Sequence, residues 1–280
     1  MIESSDRRGA ASYLLVAAAS VVVGAVGAWL VRPSSAPESH LHEEPSVAAA
    51  TNHGEYVVFA RGSDSIRAYV AYPESKRAAP AVLVIHENVG LTAWEPTVAD
   101  RLAKAGYVAI APDLISSKFG KTPETTDSAR KLLSQLEPDR ITQDLDATIA
   151  YITAQPATNK DRVAVMGFCW GGGQTFRYAT NNPALKAAVV CYGPAPADTV
   201  AQKSIKARML GVYGENDARI NGALPDVRAR LAAAGVNFRD KIYPGTGHGF
   251  LKPGRVGNDG PQPELAWTDI LAFYKEALGQ

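Results

Sequence analysis

The chain has 280 residues, of which 46% are hydrophobic and 20% are charged, and its formal net charge at pH 7 is +1. This length and apolar content are sufficient for a single enzyme-sized core. A charge so close to zero gives no electrostatic reason to expect a nucleic-acid partner, and the sequence has no zinc-type grouping of cysteine and histidine. We therefore expect no nucleic acid, no metal and no organic cofactor.

The N-terminal part carries an apolar segment. Residues 9–31 contain no charged side chain and follow Arg7 and Arg8. A membrane-spanning helix needs about 20 such residues, whereas a signal-peptide core has about 7 to 15. The length therefore favours the interpretation that residues 1–32 form an uncleaved membrane anchor. Residues 26–28 nevertheless offer a small-residue cleavage site, and the arginine pair is compatible with a twin-arginine export signal. In each case the following domain is expected on the extracytoplasmic, periplasmic side, at the inner membrane.

Residues 33–54 predict a flexible linker, because they are rich in serine, proline and alanine and have no periodic apolar face. The domain then spans residues 55–280, where apolar strand patterns alternate with helical ones. Such alternation indicates a mostly parallel sheet with helices on both faces, that is, the α/β class. Residues 116–140 are expected to form a lid-like loop. The predicted strands cover residues 56–60, 66–72 (a hairpin with the first), 81–85, 107–111, 163–166, 187–191, 208–213 and 238–243, and the predicted helices cover residues 94–105, 139–154 and 263–278.

A cysteine lies at a strand-to-helix turn. Cys169 follows the apolar residues 163–166, and the glycines around it are Gly167, Gly171 and Gly172. This is the nucleophile-elbow pattern with cysteine in place of the more usual serine. Small residues are needed on both sides because the backbone of the nucleophile is strained and the following helix packs close to the sheet. The pattern predicts Cys169 as a nucleophile.

An acid and a histidine follow in the chain order that this fold requires. Asp217 comes after the strand pattern 208–213, and His248 comes after the pattern 238–243. The carboxyl ends of parallel strands share one edge of the sheet, so the three side chains are expected to converge there. Asp226 is a rival acid, but it comes directly after Pro225 and is typical of the first turn of a helix.

These residue types predict acyl transfer to water. His248 would take the thiol proton of Cys169 and return it to the leaving oxygen, while Asp217 would orient the imidazole. The oxyanion would be stabilised by backbone N–H groups, one from Trp170 and one from the loop near Asn88.

The motifs resemble those of the dienelactone hydrolase (carboxymethylenebutenolidase) family, over roughly residues 56–280. Four stretches carry the resemblance: the cysteine elbow with its glycines, residues 86–88 (His-Glu-Asn), residues 111–114 (Ala-Pro-Asp-Leu) and residues 247–250 (Gly-His-Gly-Phe). The resemblance implies an α/β-hydrolase fold and hydrolysis of esters or lactones. In the family a glutamate after the early strand contacts the cysteine and helps to deprotonate it when substrate arrives. Its position corresponds here to Glu87, for which a plain salt-bridge role is the alternative.

Departures from the family motifs concern the substrate. The family holds the substrate carboxylate with arginines and a serine, and the serine after the histidine is here Gly249. The arginine a few residues further on corresponds to Lys252 or is displaced to Arg255. The lid region offers Arg130 and Arg140 for the second arginine, and Arg130 is taken as the candidate. Dienelactone itself is therefore not the expected substrate.

Other interpretations remain open at this point. The chain has two cysteines, and a disulfide between Cys169 and Cys191 would remove the nucleophile. The elbow position makes that pairing geometrically poor, so Cys191 is interpreted as a core residue. A non-catalytic binding module with an inert or disulfide-bonded Cys169 is the competing hypothesis, and an amide-cleaving hydrolase is a third. The expected partner of the monomeric enzyme is a small ester or lactone, with the membrane contacted through the N-terminal segment.

Overall fold

The computed structural model describes residues 53–198 and 200–279. The predicted anchor, residues 1–32, and most of the predicted linker lie outside the described residues. The first strand begins at His53, so the last two residues assigned to the linker belong to the domain. Within the described part of the chain no helix has the length and apolar character needed to cross a membrane.

Eight strands form one sheet, and eight α-helices and one 3-10 helix (Ala201–Ser204) are distributed along the described chain. The strands are β1 (His53–Arg61), β2 (Asp64–Tyr72), β3 (Ala79–Ile85), β4 (Val108–Asp113), β5 (Thr158–Phe168), β6 (Ala187–Cys191), β7 (Arg208–Gly214) and β8 (Phe238–Tyr243). The helices are α1 (Trp94–Lys104), α2 (Ser116–Phe119), α3 (Thr126–Leu133), α4 (Pro138–Thr153), α5 (Trp170–Asn181), α6 (Ala218–Asn221), α7 (Leu224–Ala233) and α8 (Gln262–Leu278).

The strand order is β1-β2-β4-β3-β5-β6-β7-β8, and the sheet is parallel from β4 to β8. The predicted hairpin of β1 and β2 is antiparallel and joins the edge of β4. Every residue of β3 is buried, as expected of a parallel strand that is covered on both faces. The mostly parallel α/β architecture is thus confirmed for the described residues.

Two apolar layers cover the sheet. Alternate residues of β3 contribute to each, with Leu83 on one face and Val82 on the other. The first layer contains residues of α3, α4, α5 and α7, and the second contains residues of α1 and α8. The helices cover both faces of the sheet but not the carboxyl ends of its strands. The candidate site lies at these strand ends.

The segment expected to be a lid-like loop is largely helical. It contains α2, α3 and the start of α4, and it is tied down at the end of β4. The Asp113 carboxylate accepts hydrogen bonds from the backbone and hydroxyl of Thr122 at 2.7 and 2.8 Å, and the Thr122 hydroxyl accepts one from the Leu91 backbone at 3.1 Å. The segment thereby supports the loop after β3. The prediction of a loop over residues 116–140 was wrong, because much of the segment is helical.

Candidate active site

Cys169 lies between the end of β5 and the start of α5. Its φ of 55° falls in the left-handed region, which non-glycine residues adopt only at a cost in conformational energy. Its amide donates a hydrogen bond to the Cys191 carbonyl at 3.0 Å, which anchors the turn to the neighbouring strand. The thiol is partly exposed, and both cysteines are free, so the disulfide alternative does not occur in this structure.

The glycines around Cys169 allow three backbones to approach one another. A Cβ atom on Gly167 would lie 2.2 Å from the Gly171 carbonyl oxygen, and one on Gly171 would lie 2.3 Å from the His86 carbonyl oxygen. A Cβ atom on Gly172 would lie 2.6 Å from the Cys191 carbonyl oxygen. These close contacts place the N-terminus of α5 against the ends of β3 and β6. The positive end of the helix dipole therefore lies at the cysteine.

Asp217 and His248 meet beyond the ends of β7 and β8. His248 Nδ1 donates to Asp217 Oδ2 at 2.5 Å, and the Asp217 side chain is only 5% exposed. The two loops are held in register because the Asn216 backbone donates to the Thr246 carbonyl at 2.8 Å. The acid and the histidine that the sequence predicted are thus in direct contact.

The imidazole of His248 also interacts with Cys169. A hydrogen bond with Cys169 is the largest influence on the pKa of His248 and raises it above its ordinary value. Desolvation opposes this effect, and the hydrogen bond with Asp217 adds to it. With Nδ1 engaged by Asp217, Nε2 is the nitrogen left for the sulfur. Both Cys169 and Asp217 therefore influence the pKa of one imidazole.

Glu87 follows β3 and is almost completely buried, with 3% of its surface exposed. Its Oε2 accepts a hydrogen bond from Lys252 Nζ at 2.9 Å and lies 3.9 Å from a terminal guanidinium nitrogen of Arg255. Lys252 Nζ also lies 5.1 Å from the ring centre of Trp94. In this conformation Glu87 therefore acts as a salt-bridge partner of two cations, which was the alternative to a catalytic role.

The remaining predicted residues are placed as follows. Trp170 is the first residue of α5, and Asn88 lies in the partly exposed loop after Glu87. Arg130 lies on α3 and forms an exposed ion pair with Asp127 at 3.1 Å rather than joining this group. His86 is buried, hydrogen-bonds the Glu87 carbonyl at 2.7 Å and stacks on Trp170.

Sequence reasoning did not identify Tyr192, which follows β6. Its ring packs edge-on against His248 with a centroid distance of 5.1 Å. The available signal was its position at the carboxyl end of a parallel strand, where site residues concentrate. That signal is weak because a tyrosine after an apolar strand is also an ordinary core residue.

Comparison with known proteins agrees with this architecture. Residues 66–278 match the model of the dienelactone hydrolase family. A Methylorubrum extorquens protein named "Putative carboxymethylenebutenolidase" is 34% identical, over 75% of this chain and 77% of its own. Protein usf of Aquifex pyrophilus is 30% identical, over 80% of this chain and 99% of its own.

Solved structures give the same result. A Klebsiella pneumoniae crystal structure described as a "Putative Dienelactone Hydrolase" has a TM-score of 0.73 at 27% identity and covers 80% of this chain and 98% of its own. The dienelactone hydrolase of Anabaena variabilis, at 20% identity, shares the fold with a TM-score of 0.65 over 81% of this chain and 99% of its own.

We expect Gly171→Ala to destabilise the domain by about 2 kcal/mol or more, because the added methyl group meets backbone atoms that cannot move aside easily. Gly173→Ala is the matched control in the same helix. Its Cβ atom would lie 3.2 Å from the Pro194 ring, and we expect a change within about 1 kcal/mol. Urea unfolding of the two variants measures the difference, and equal losses would contradict the close-approach argument.

The raised pKa of His248 predicts a pH dependence of stability. A histidine whose pKa is higher in the folded state stabilises the fold fully below its unfolded value, which is about 6.5, and this contribution is lost as the pH rises through the folded value. We expect the free energy of unfolding of the wild type, relative to His248→Gln, to fall on raising the pH through that window. Urea unfolding at a series of pH values tests this, and a rise would show that the sign is wrong.

With the fold, the clustered residues and the relatives in agreement, the chain belongs to the dienelactone hydrolase family, and the predicted ester or lactone hydrolase is confirmed at the level of that family.

Proposed function

We propose that this protein hydrolyses esters or lactones through an acyl-enzyme intermediate on Cys169. The observation that carries the proposal is the placement of His248 between Asp217 and Cys169, with the cysteine at the N-terminus of α5. A nucleophile, a base and an orienting acid within reach of one another are the arrangement that acyl transfer requires.

The steps follow from these positions. The sulfur of Cys169 loses its proton to His248 and attacks the carbonyl carbon of the substrate. The resulting oxyanion accepts hydrogen bonds from the backbone N–H groups of Trp170 and Asn88. His248 then returns the proton to the leaving oxygen, and a thioester remains. Water then attacks the thioester as His248 takes one of its protons, the C–S bond breaks to release the acid, and His248 returns the proton to the sulfur of Cys169.

Glu87 adds a second route for the thiol proton. At rest its carboxylate faces Lys252 and Arg255. A substrate that carries its own anionic group competes for these cations. The freed carboxylate can then turn towards Cys169 and take the proton, as the family resemblance implies. The proposal therefore includes a preference for esters or lactones that bear a negative charge.

We expect Cys169→Ala to lose hydrolysis of p-nitrophenyl acetate and of simple lactones by about a thousandfold or more, because no other side chain forms the acyl intermediate. Cys191→Ala is the matched control, since it removes the buried second thiol and leaves the elbow cysteine in place. Initial rates of both variants, before and after iodoacetamide, provide the measurement. Full activity in Cys169→Ala would refute the nucleophile. No turnover by the wild type, together with an unreactive Cys169, would instead support the binding-module alternative.

We expect Lys252→Met to lower kcat/KM for a lactone that carries a carboxylate by about tenfold, the effect of losing one hydrogen bond to a charged group. Activity on a neutral ester should stay level or rise, because Glu87 loses its resting partner. Lys241→Met is the matched control, since Lys241 also pairs with a carboxylate, that of Asp269 at 2.7 Å, and lies over an aromatic ring. An equal loss on both substrates would argue against a role in selecting anions.

A further inference from the structure

Tyr192 combines two costly features. Its φ of 42° lies in the left-handed region, where a bulky residue is strained. Its side chain is completely buried, and its hydroxyl has no hydrogen-bond partner among the described residues. A buried hydroxyl without a partner destabilises a fold. Stability therefore does not explain the presence of a tyrosine here, where phenylalanine would fill the same space.

The ring of Tyr192 packs against the candidate active site. It meets His248 edge-on, with ring centres 5.1 Å apart, and lies 6.2 Å from Phe168, the residue before Cys169. Desolvation raises the pKa of Tyr192 well above its ordinary value, and electrostatic interaction with nearby groups, Glu87 and Cys169 among them, raises it further. The hydroxyl therefore keeps its proton and is within electrostatic reach of Glu87 and of the nucleophile.

Tyr192 and Glu87 each follow a residue whose carbonyl meets the N-terminus of α5, since Gly172 lies against Cys191 and Gly171 against His86. Glu87 and Glu95 both influence the pKa of the Tyr192 hydroxyl, but only one of these carboxylates can change its partner. Glu95 is fixed at the start of α1, where its Oε2 accepts hydrogen bonds from the backbone and hydroxyl of Thr92 at 2.8 and 2.6 Å. Its other oxygen, Oε1, is buried and has no partner in the described chain, so Tyr192 does not donate to it. Within the described residues, Glu87 is held through the side chain of Lys252 and the more distant Arg255. The carboxylate that can change its partner is therefore Glu87.

We infer that Tyr192 is a positioning residue whose hydroxyl donates a hydrogen bond to Glu87 once that carboxylate leaves Lys252 and turns towards Cys169. This inference rests on the proposed function. In the step that it supports, the S–H bond of Cys169 breaks, the proton forms an O–H bond on Glu87, and the electron pair stays on the sulfur. The hydroxyl keeps its own proton and fixes the orientation of the accepting carboxylate.

Tyr192→Phe in the full chain tests the inference. With an ester or lactone that carries a carboxylate, we expect kcat to fall about tenfold to a hundredfold, the range for losing one hydrogen bond to a charged group, while KM changes little. The urea midpoint should stay level or rise, because the variant removes a hydroxyl that has no partner. Tyr274→Phe is the matched control: its hydroxyl is also buried but donates to the Val165 carbonyl at 3.2 Å. We expect that control to lose stability and to keep its kcat.

A double-variant cycle separates action through Glu87 from a general packing effect. If Tyr192 acts through Glu87, Tyr192→Phe slows the Glu87→Gln enzyme little further. An unchanged kcat in Tyr192→Phe would overturn the inference. A double variant whose loss of kcat equals the product of the losses in Tyr192→Phe and Glu87→Gln would also overturn it. A wild type without hydrolase activity would instead overturn the proposed function, and this inference with it.

Discussion

The close approach of α5 to the ends of two strands is the constraint on which the site depends. Gly171 lies against the His86 carbonyl, and Gly172 lies against the Cys191 carbonyl. The residues that follow these two contacts are Glu87 and Tyr192. One helix terminus therefore fixes the position of Cys169, of the buried carboxylate on one side and of the tyrosine on the other. A side chain at either glycine would move all three apart.

Burial makes the Glu87 side chain depend on a partner. A carboxylate that is removed from water without a compensating cation is strongly disfavoured, and Lys252 supplies that cation in this conformation. The carboxylate can leave Lys252 only if another group receives it. In the proposed mechanism the positive end of α5 and the hydroxyl of Tyr192 stabilise the carboxylate in that second position. The strained backbone of Tyr192 is consistent with such a requirement.

Much of the fold and the core of the site could be predicted because the signals are local. Apolar strands with helices between them fix the class, and the glycines around Cys169 mark the elbow without reference to distant residues. Strand β6 was predicted with the bounds that the structure has, because five small or β-branched apolar residues stand between Lys186 and a segment with Gly193 and Pro194. The short helices α2 and α3 were missed because they are polar and carry no long apolar period. The predicted N-terminal segment lies outside the described residues and stays a prediction.

The pairing within the site was harder to predict because it is not local. Glu87 and Lys252 are 165 positions apart, and only the folded sheet shows that they meet. This pairing changes how selectivity can arise. In the proposed mechanism a neutral ester leaves the ion pair intact and relies on His248 alone, whereas an anionic substrate displaces Glu87 and recruits a second proton acceptor. The enzyme would then distinguish anionic from neutral substrates in the proton transfer that follows binding. This preference is therefore expected in kcat as well as in KM.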